Sequence, residues 1–176
     1  MSSGANVSRT RPASVPTGAP AVADRLPLHW TFRVLGFGAL ALALIGAGIS
    51  AYLLVVHIQG QSPVCRIAHG CATVQKSEYS KIMGVPISVP GIAGYVALGG
   101  LAVVWLTGWR GLRAHAALFA FYASLFGILF SAYLTYVEWR VLEAWCIWCI
   151  GSAITMTLLF AAWVALFARE MRARQQ

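Results

Sequence analysis

Four cysteines stand in two pairs: Cys65 and Cys71 in SPVCRIAHGCATVQ, and Cys146 and Cys149 in EAWCIWCIGS. Paired thiols can anchor haem, ligate a metal, staple a fold or relay electrons. Covalent haem attachment needs a histidine directly after the second cysteine of a Cys-X-X-Cys, and Ile150 is there. A zinc site needs a fuller ligand set than CIWC offers, so no metal is expected. Structural bridges and redox-active dithiols are left. A two-residue spacer is reactive, and the first turn of a helix offers unpaired N–H groups and a positive dipole end that favour thiolate over thiol. A disulfide and a dithiol also interconvert with one another through a mixed disulfide, so two pairs can form a relay.

The elements that must position these thiols are apolar. Of the 176 residues, 59% are hydrophobic and 10% charged, against about 25% charged in a soluble domain. Four uncharged gaps, Arg33 to Arg66, Lys81 to Arg110, Arg113 to Glu138 and Glu143 to Arg169, are each long enough for the ~20 residues that cross a bilayer. The expected fold is an all-α integral membrane protein, a four-helix transmembrane bundle over residues 30–168 with helices at 34–56, 90–109, 114–136 and 146–167. Pro86 and Pro90 set the start of the second helix, since proline is tolerated in a first turn. Residues 1–29, rich in Ser, Ala, Pro and Gly, read as a disordered tail, and 169–176 as a basic tail. The first apolar run is too long for the core of a cleaved signal peptide.

Basic residues set the orientation, because cytoplasmic segments carry the excess of Lys and Arg. Nine of the 13 lie in the two tails and the short second loop. Both termini are therefore expected in the cytoplasm and all four cysteines outside it, where disulfides persist. The formal charge of +8 then reflects topology and attraction to anionic lipid rather than nucleic acid. Cys146 and Cys149 fall at the membrane boundary, within reach of a water-soluble protein or a lipid-soluble quinone. Trp139, Trp145 and Trp148 around them suit the interfacial belt. Pro63 and Gly70 make the loop of Cys65 and Cys71 turn-rich, able to reach water. Val74, Ser77, Tyr79, Ile82 and Met83 fit one apolar side of a short interfacial helix, ended by Gly84 and Pro86, that would cap the site; a plain surface loop fits as well. His57 near the outer end of the first helix is a candidate proton donor, and His69 between the loop cysteines could lower a thiol pKa; both also suit ordinary polar positions.

A loop cysteine pair, Ser77 six residues after Cys71, a glycine-proline segment leading to GIAGY, and a Cys-X-X-Cys opening the last helix together resemble the vitamin K epoxide reductase family in its bacterial form. The resemblance covers roughly residues 30–167. Disulfide bond protein B is organised similarly, but its Cys-X-X-Cys belongs to the first outer loop, and here it belongs to the second. The resemblance implies an oxidoreductase of the bacterial cytoplasmic membrane that generates disulfides and reduces a quinone, ubiquinone or menaquinone. It implies that Cys149 faces the quinone, Cys146 exchanges with Cys71, Cys65 meets an extracytoplasmic thioredoxin-like partner, and Ser77 supports the reactive thiolate. As the chain ends at Gln176, that partner is expected to be a separate protein. The vertebrate members' quinone-contacting asparagine and tyrosine correspond to Ile87 and Ala153 here, so the polar contacts of the quinone are not named by the motif. A noncatalytic membrane subunit with structural disulfides, a disulfide bond protein B-like oxidase, and an enzyme running electrons outward are the competing readings.

Overall fold

The computed structural model describes residues 22–65, 70–108 and 110–175. Four long helices dominate: α1 (Val22–Ile58), α3 (Ser88–Thr107), α4 (Arg110–Arg140) and α5 (Ile147–Arg174). Between α1 and α3 lie the short α2 (Cys71–Lys76), a 3-10 turn (Glu78–Ser80) and a hairpin of β1 (Lys81–Ile82) and β2 (Val85–Pro86). The stretches Trp30–Ile58, Ser88–Thr107, Gly111–Arg140 and Ile147–Arg174 are each long and apolar enough to cross a membrane. Even the 20 residues of α3 reach about 30 Å at a rise of 1.5 Å per residue, the thickness of the hydrocarbon layer.

The helices close a ring in which α1 packs on α3 and α5, and α4 packs on α3 and α5. Its core is built from small residues that let backbones approach, Ala39, Ala43, Ala102, Ala116, Ala117 and Ala120, filled by Tyr95, Trp105, Leu159 and Trp163. A Cβ on Gly46 would lie 2.2 Å from the Tyr95 ring, so only glycine admits that ring between α1 and α3. The outward faces carry Phe37, Leu44, Ile45, Val96, Phe119, Phe126, Leu129 and Leu158, all exposed. At about 25 cal/mol per Å² of apolar surface, such a belt is stable against lipid tails and not against water.

Helix ends depart from expectation in instructive ways. The helix α1 begins at Val22, inside the segment expected to be a disordered tail; residues 1–21 lie outside the described residues. At the other end of the chain, α5 absorbs most of the expected basic tail, with Arg172 and Arg174 in its last turn, where cations complement the negative dipole end. The helix α4 runs past its expected end at 136 to Arg140 because Glu138, the charge taken to stop it, is only 4% exposed and hydrogen-bonded. The cap is the clearest correction. The helix stops at Lys76, Ser77 is extended, and Ile82 and Met83 belong to a hairpin, not a helix. Met83 and Gly84 both take positive φ, 51° and 84°, the two-residue turn whose twist suits antiparallel strands.

Candidate functional site

Cys65 and Cys71 form a disulfide, while Cys146 and Cys149 are thiols. The loop pair is held by its own neighbours. The Val64 N–H donates to the Tyr52 hydroxyl (3.1 Å), and the Trp148 Nε1–H donates to the Val64 carbonyl (3.1 Å). The Tyr52 and Trp148 rings pack at 4.6 Å between centroids, tilted by 43°. Trp148 thus ties the residue before Cys65 to the first turn of α5, a structural use beyond the interfacial belt. The segment 66–69, with His69, lies outside the described residues.

Beyond that segment the chain returns against α5. A Cβ on Gly70 would sit 2.6 Å from the Trp145 backbone nitrogen and 2.8 Å from the Ala144 Cβ. Cys71 and Cys146 each follow one of these touching residues, and both are buried, at 1% and 0% exposed. Cys146 is the N-cap of α5. Its thiol pKa is lowered, chiefly because the Cys149 thiol donates a hydrogen bond to it, with help from the Cys149 and Trp148 backbone N–H groups; burial and the Glu138 charge oppose the shift. The thiolate of the pair is therefore stabilised on Cys146, with Cys149 as proton donor.

Glu138 is buried at the same place. Its carboxylate accepts the Cys146 backbone N–H (3.2 Å) and hydrogen-bonds the Cys149 side chain. The turn joining α4 to α5 brings it there, with Ala144 N–H bonded to the Glu138 carbonyl (3.1 Å) and Glu143 at φ 47°. Sequence reasoning used this residue only as a boundary charge. Its spacing of eight residues from Cys146 resembles no local motif, since the pairing depends on that turn.

A cavity of about 370 Å³ opens beside Cys149, within the size range of small-molecule sites. Leu53, Leu98, Phe126, Phe130 and Met156 give it apolar walls; His57, Gln75, Ser77, Tyr95, Glu138 and Ser152 supply polar edges. Ile87 and Ala153 also line it. The Tyr95 hydroxyl donates to the Ser152 carbonyl and pairs with the Ser152 Oγ, both at 2.9 Å, joining α3 to α5 across its base. Val74, Tyr79 and Ile82 close it from the cap, so α2, the 3-10 turn and the hairpin share the capping expected of a single helix. Ser77 lines the cavity, but its hydroxyl donates to the Val74 carbonyl (2.7 Å) and finishes α2. The cavity is thus an apolar slot with a few hydrogen-bonding groups and a thiol in its wall.

The far end of the bundle has the opposite character. Arg113 lies over the Trp105 ring (4.7 Å) and donates to the Trp105 carbonyl (2.9 Å), and Arg169 lies over Phe32 (4.4 Å). These two arginines thus lie at one end of the bundle and the thiols at the other. The family model for the Vitamin K epoxide reductase family matches residues 38–164, more than half of the chain. None of the curated proteins matches it.

Proposed function

The chain belongs to the vitamin K epoxide reductase family, a family of quinone-linked thiol oxidoreductases, and from that premise we propose that it generates disulfides outside the cytoplasm. A soluble thioredoxin-like dithiol is the electron source and a membrane quinone the acceptor. The observation that carries the reading is the meeting of two cysteine pairs at one end of the bundle, one as a disulfide and one as thiols beside an apolar cavity.

Burial supports the division of labour. Cys65 is less buried than Cys71 or Cys146, which suits it to receive the partner. A partner thiolate attacks Cys65 Sγ, the bond to Cys71 breaks, and the partner's second thiol resolves the mixed disulfide, leaving the loop reduced. Cys71 then attacks Cys146 of an oxidised Cys146–Cys149 pair, Cys149 departs as a thiolate, and Cys65 closes back onto Cys71, releasing Cys146. The outcome is the arrangement observed, loop oxidised and helical pair reduced. Cys149 lines the cavity that would hold the quinone, with Ile87 and Ala153 flanking it and His57 and the Tyr95–Ser152 pair within its walls. A bound quinone supplies an acceptor for two electrons and two protons. Ser77 serves here by shaping the cap that holds Cys71 and the cavity roof.

Replacing Cys149 by Ala tests the mechanism. With a reduced thioredoxin-like donor and a water-soluble quinone analogue, the variant is expected to lose quinone reduction by at least about a thousandfold, while the donor still forms a mixed disulfide with Cys65. Retained quinone reduction would sink the relay, and a noncatalytic role for the disulfides predicts no turnover even in the unsubstituted protein.

A further inference from the structure

We infer that Glu138 is a catalytic proton carrier between the Cys146–Cys149 dithiol and the cavity. The inference rests on the quinone-reducing reading above. It starts from a feature that reading does not use: a carboxyl group 4% exposed at the outer end of a membrane-spanning helix. Burying a carboxylate is costly unless it is hydrogen-bonded, and ionisable groups within membrane-spanning segments characteristically mark proton pathways. Its partners here are a backbone N–H of one reactive cysteine, at 3.2 Å, and the side chain of the other. The carboxyl also lines the cavity with Cys149. It therefore touches a thiol that must lose a proton and the space where a proton must arrive.

The balance of the reaction calls for such a group. Oxidation of the dithiol forms one S–S bond and releases two electrons and two protons, and a quinone becoming a quinol takes up the same number of each. Glu138 accepts the proton of Cys149 Sγ as that sulfur is oxidised and gives it up into the cavity at a quinone oxygen. Cys146, whose thiolate is favoured, loses its proton to water at that end of the bundle, and the second proton for the quinone is drawn from the same water. Among the described residues, the other titratable groups facing this space are Cys149 on α5, His57 on α1, Tyr79 on the 3-10 turn and Tyr95 on α3, with Cys146 behind Cys149 at the N-cap of α5. Glu138 is the one tied to both sulfurs' residues.

A merely structural role can be separated from a proton-carrying one. In Glu138→Gln the amide oxygen still accepts the Cys146 N–H, so the start of α5 keeps its bond, but the side chain no longer exchanges a proton. Two readouts are taken on purified protein, one with a quinone analogue and one without any quinone. Glu138→Gln is expected to slow quinone reduction about a hundredfold or more, within the range of general acid–base catalysis, with Glu138→Asp recovering part of the rate. Exchange between Cys71 and Cys146, followed by thiol trapping, is slowed far less than quinone reduction, because removing the Glu138 charge favours the Cys146 thiolate. Without quinone, infrared difference spectra between the dithiol and disulfide forms should contain a carboxyl band that Glu138→Gln abolishes. A fully active Glu138→Gln, or a difference spectrum without that band, overturns the inference alone. Failure of the unsubstituted protein to reduce any quinone overturns the underlying reading and this inference with it.

Discussion

In the proposed relay the charge rests on Cys146 Sγ, whose pKa is lowered. A thiolate buried without partners would be costly, yet this one has a thiol donor and two backbone N–H groups at a helix start. The hydrogen bond from Cys149 outranks burial, and the Glu138 charge adds to burial in opposing the thiolate. Because the pKa is lowered, the thiolate should persist as pH falls below the ~8.5 of a free cysteine, and be lost only when pH falls through the lowered value. Cys149→Ser, which keeps a hydroxyl donor, isolates Cys146 for measurement of thiolate absorbance against pH. Its midpoint is expected below that of an ordinary thiol. Cys149→Ala removes the donor, and the midpoint should rise relative to Cys149→Ser, because the thiolate loses its hydrogen bond.

At the scale of elements, the join between the first loop and the α4–α5 turn decides whether the two pairs can meet. Trp148 and Tyr52 hold Val64 by both of its backbone groups, and Gly70 presses against Ala144 and Trp145. The 2.6 Å that an added Cβ would leave to the Trp145 nitrogen is backbone contact, which cannot swing away as a side chain could. Gly70→Ala should therefore cost about 1–3 kcal/mol of stability and slow Cys71–Cys146 exchange about tenfold or more, measured by thermal unfolding and by rapid thiol trapping. Equal rates for the two proteins would show that exchange does not depend on this packing. The Met83–Gly84 hairpin reports on the cap without touching the cysteines. Met83 is 99% exposed at φ 51°, a backbone region that asparagine tolerates better than methionine. Met83→Asn is expected to raise stability by about 0.5–1 kcal/mol in the same unfolding measurement, with quinone reduction unchanged.

For the whole molecule, the separation of charges is the organising fact. Arg113 and Arg169 are pinned on Trp105 and Phe32 at one end of the bundle, and the cysteine pairs, Glu138 and the cavity occupy the other. With the excess of arginine expected on the cytoplasmic side, we propose that the thiols face outward. In a variant lacking the native cysteines, a cysteine introduced at position 83 should react in intact cells with a membrane-impermeant maleimide, and one introduced at position 175 should react only after lysis. The reverse labelling pattern would invert the proposed orientation and place the relay in a reducing compartment.

Composition and the spacing of charges were enough to determine four spans, and the order of cysteines, Ser77 and GIAGY pointed to the family before any contact was known. Those features are legible because bilayer thickness and helical rise act on the chain one segment at a time. The segment after Cys71 misled, since its apolar residues fit a helix until the Met83–Gly84 turn is seen to fold them into a hairpin. What only the tertiary structure decided are contacts between segments far apart in sequence. Trp148 bonds to Val64 across 84 positions, Tyr95 to Ser152 across 57, and Glu138 reaches Cys146 around a turn. None has a sequence period, because each depends on where two helices cross or how a turn folds, and it is these contacts that build the cavity and set a carboxyl beside the thiols.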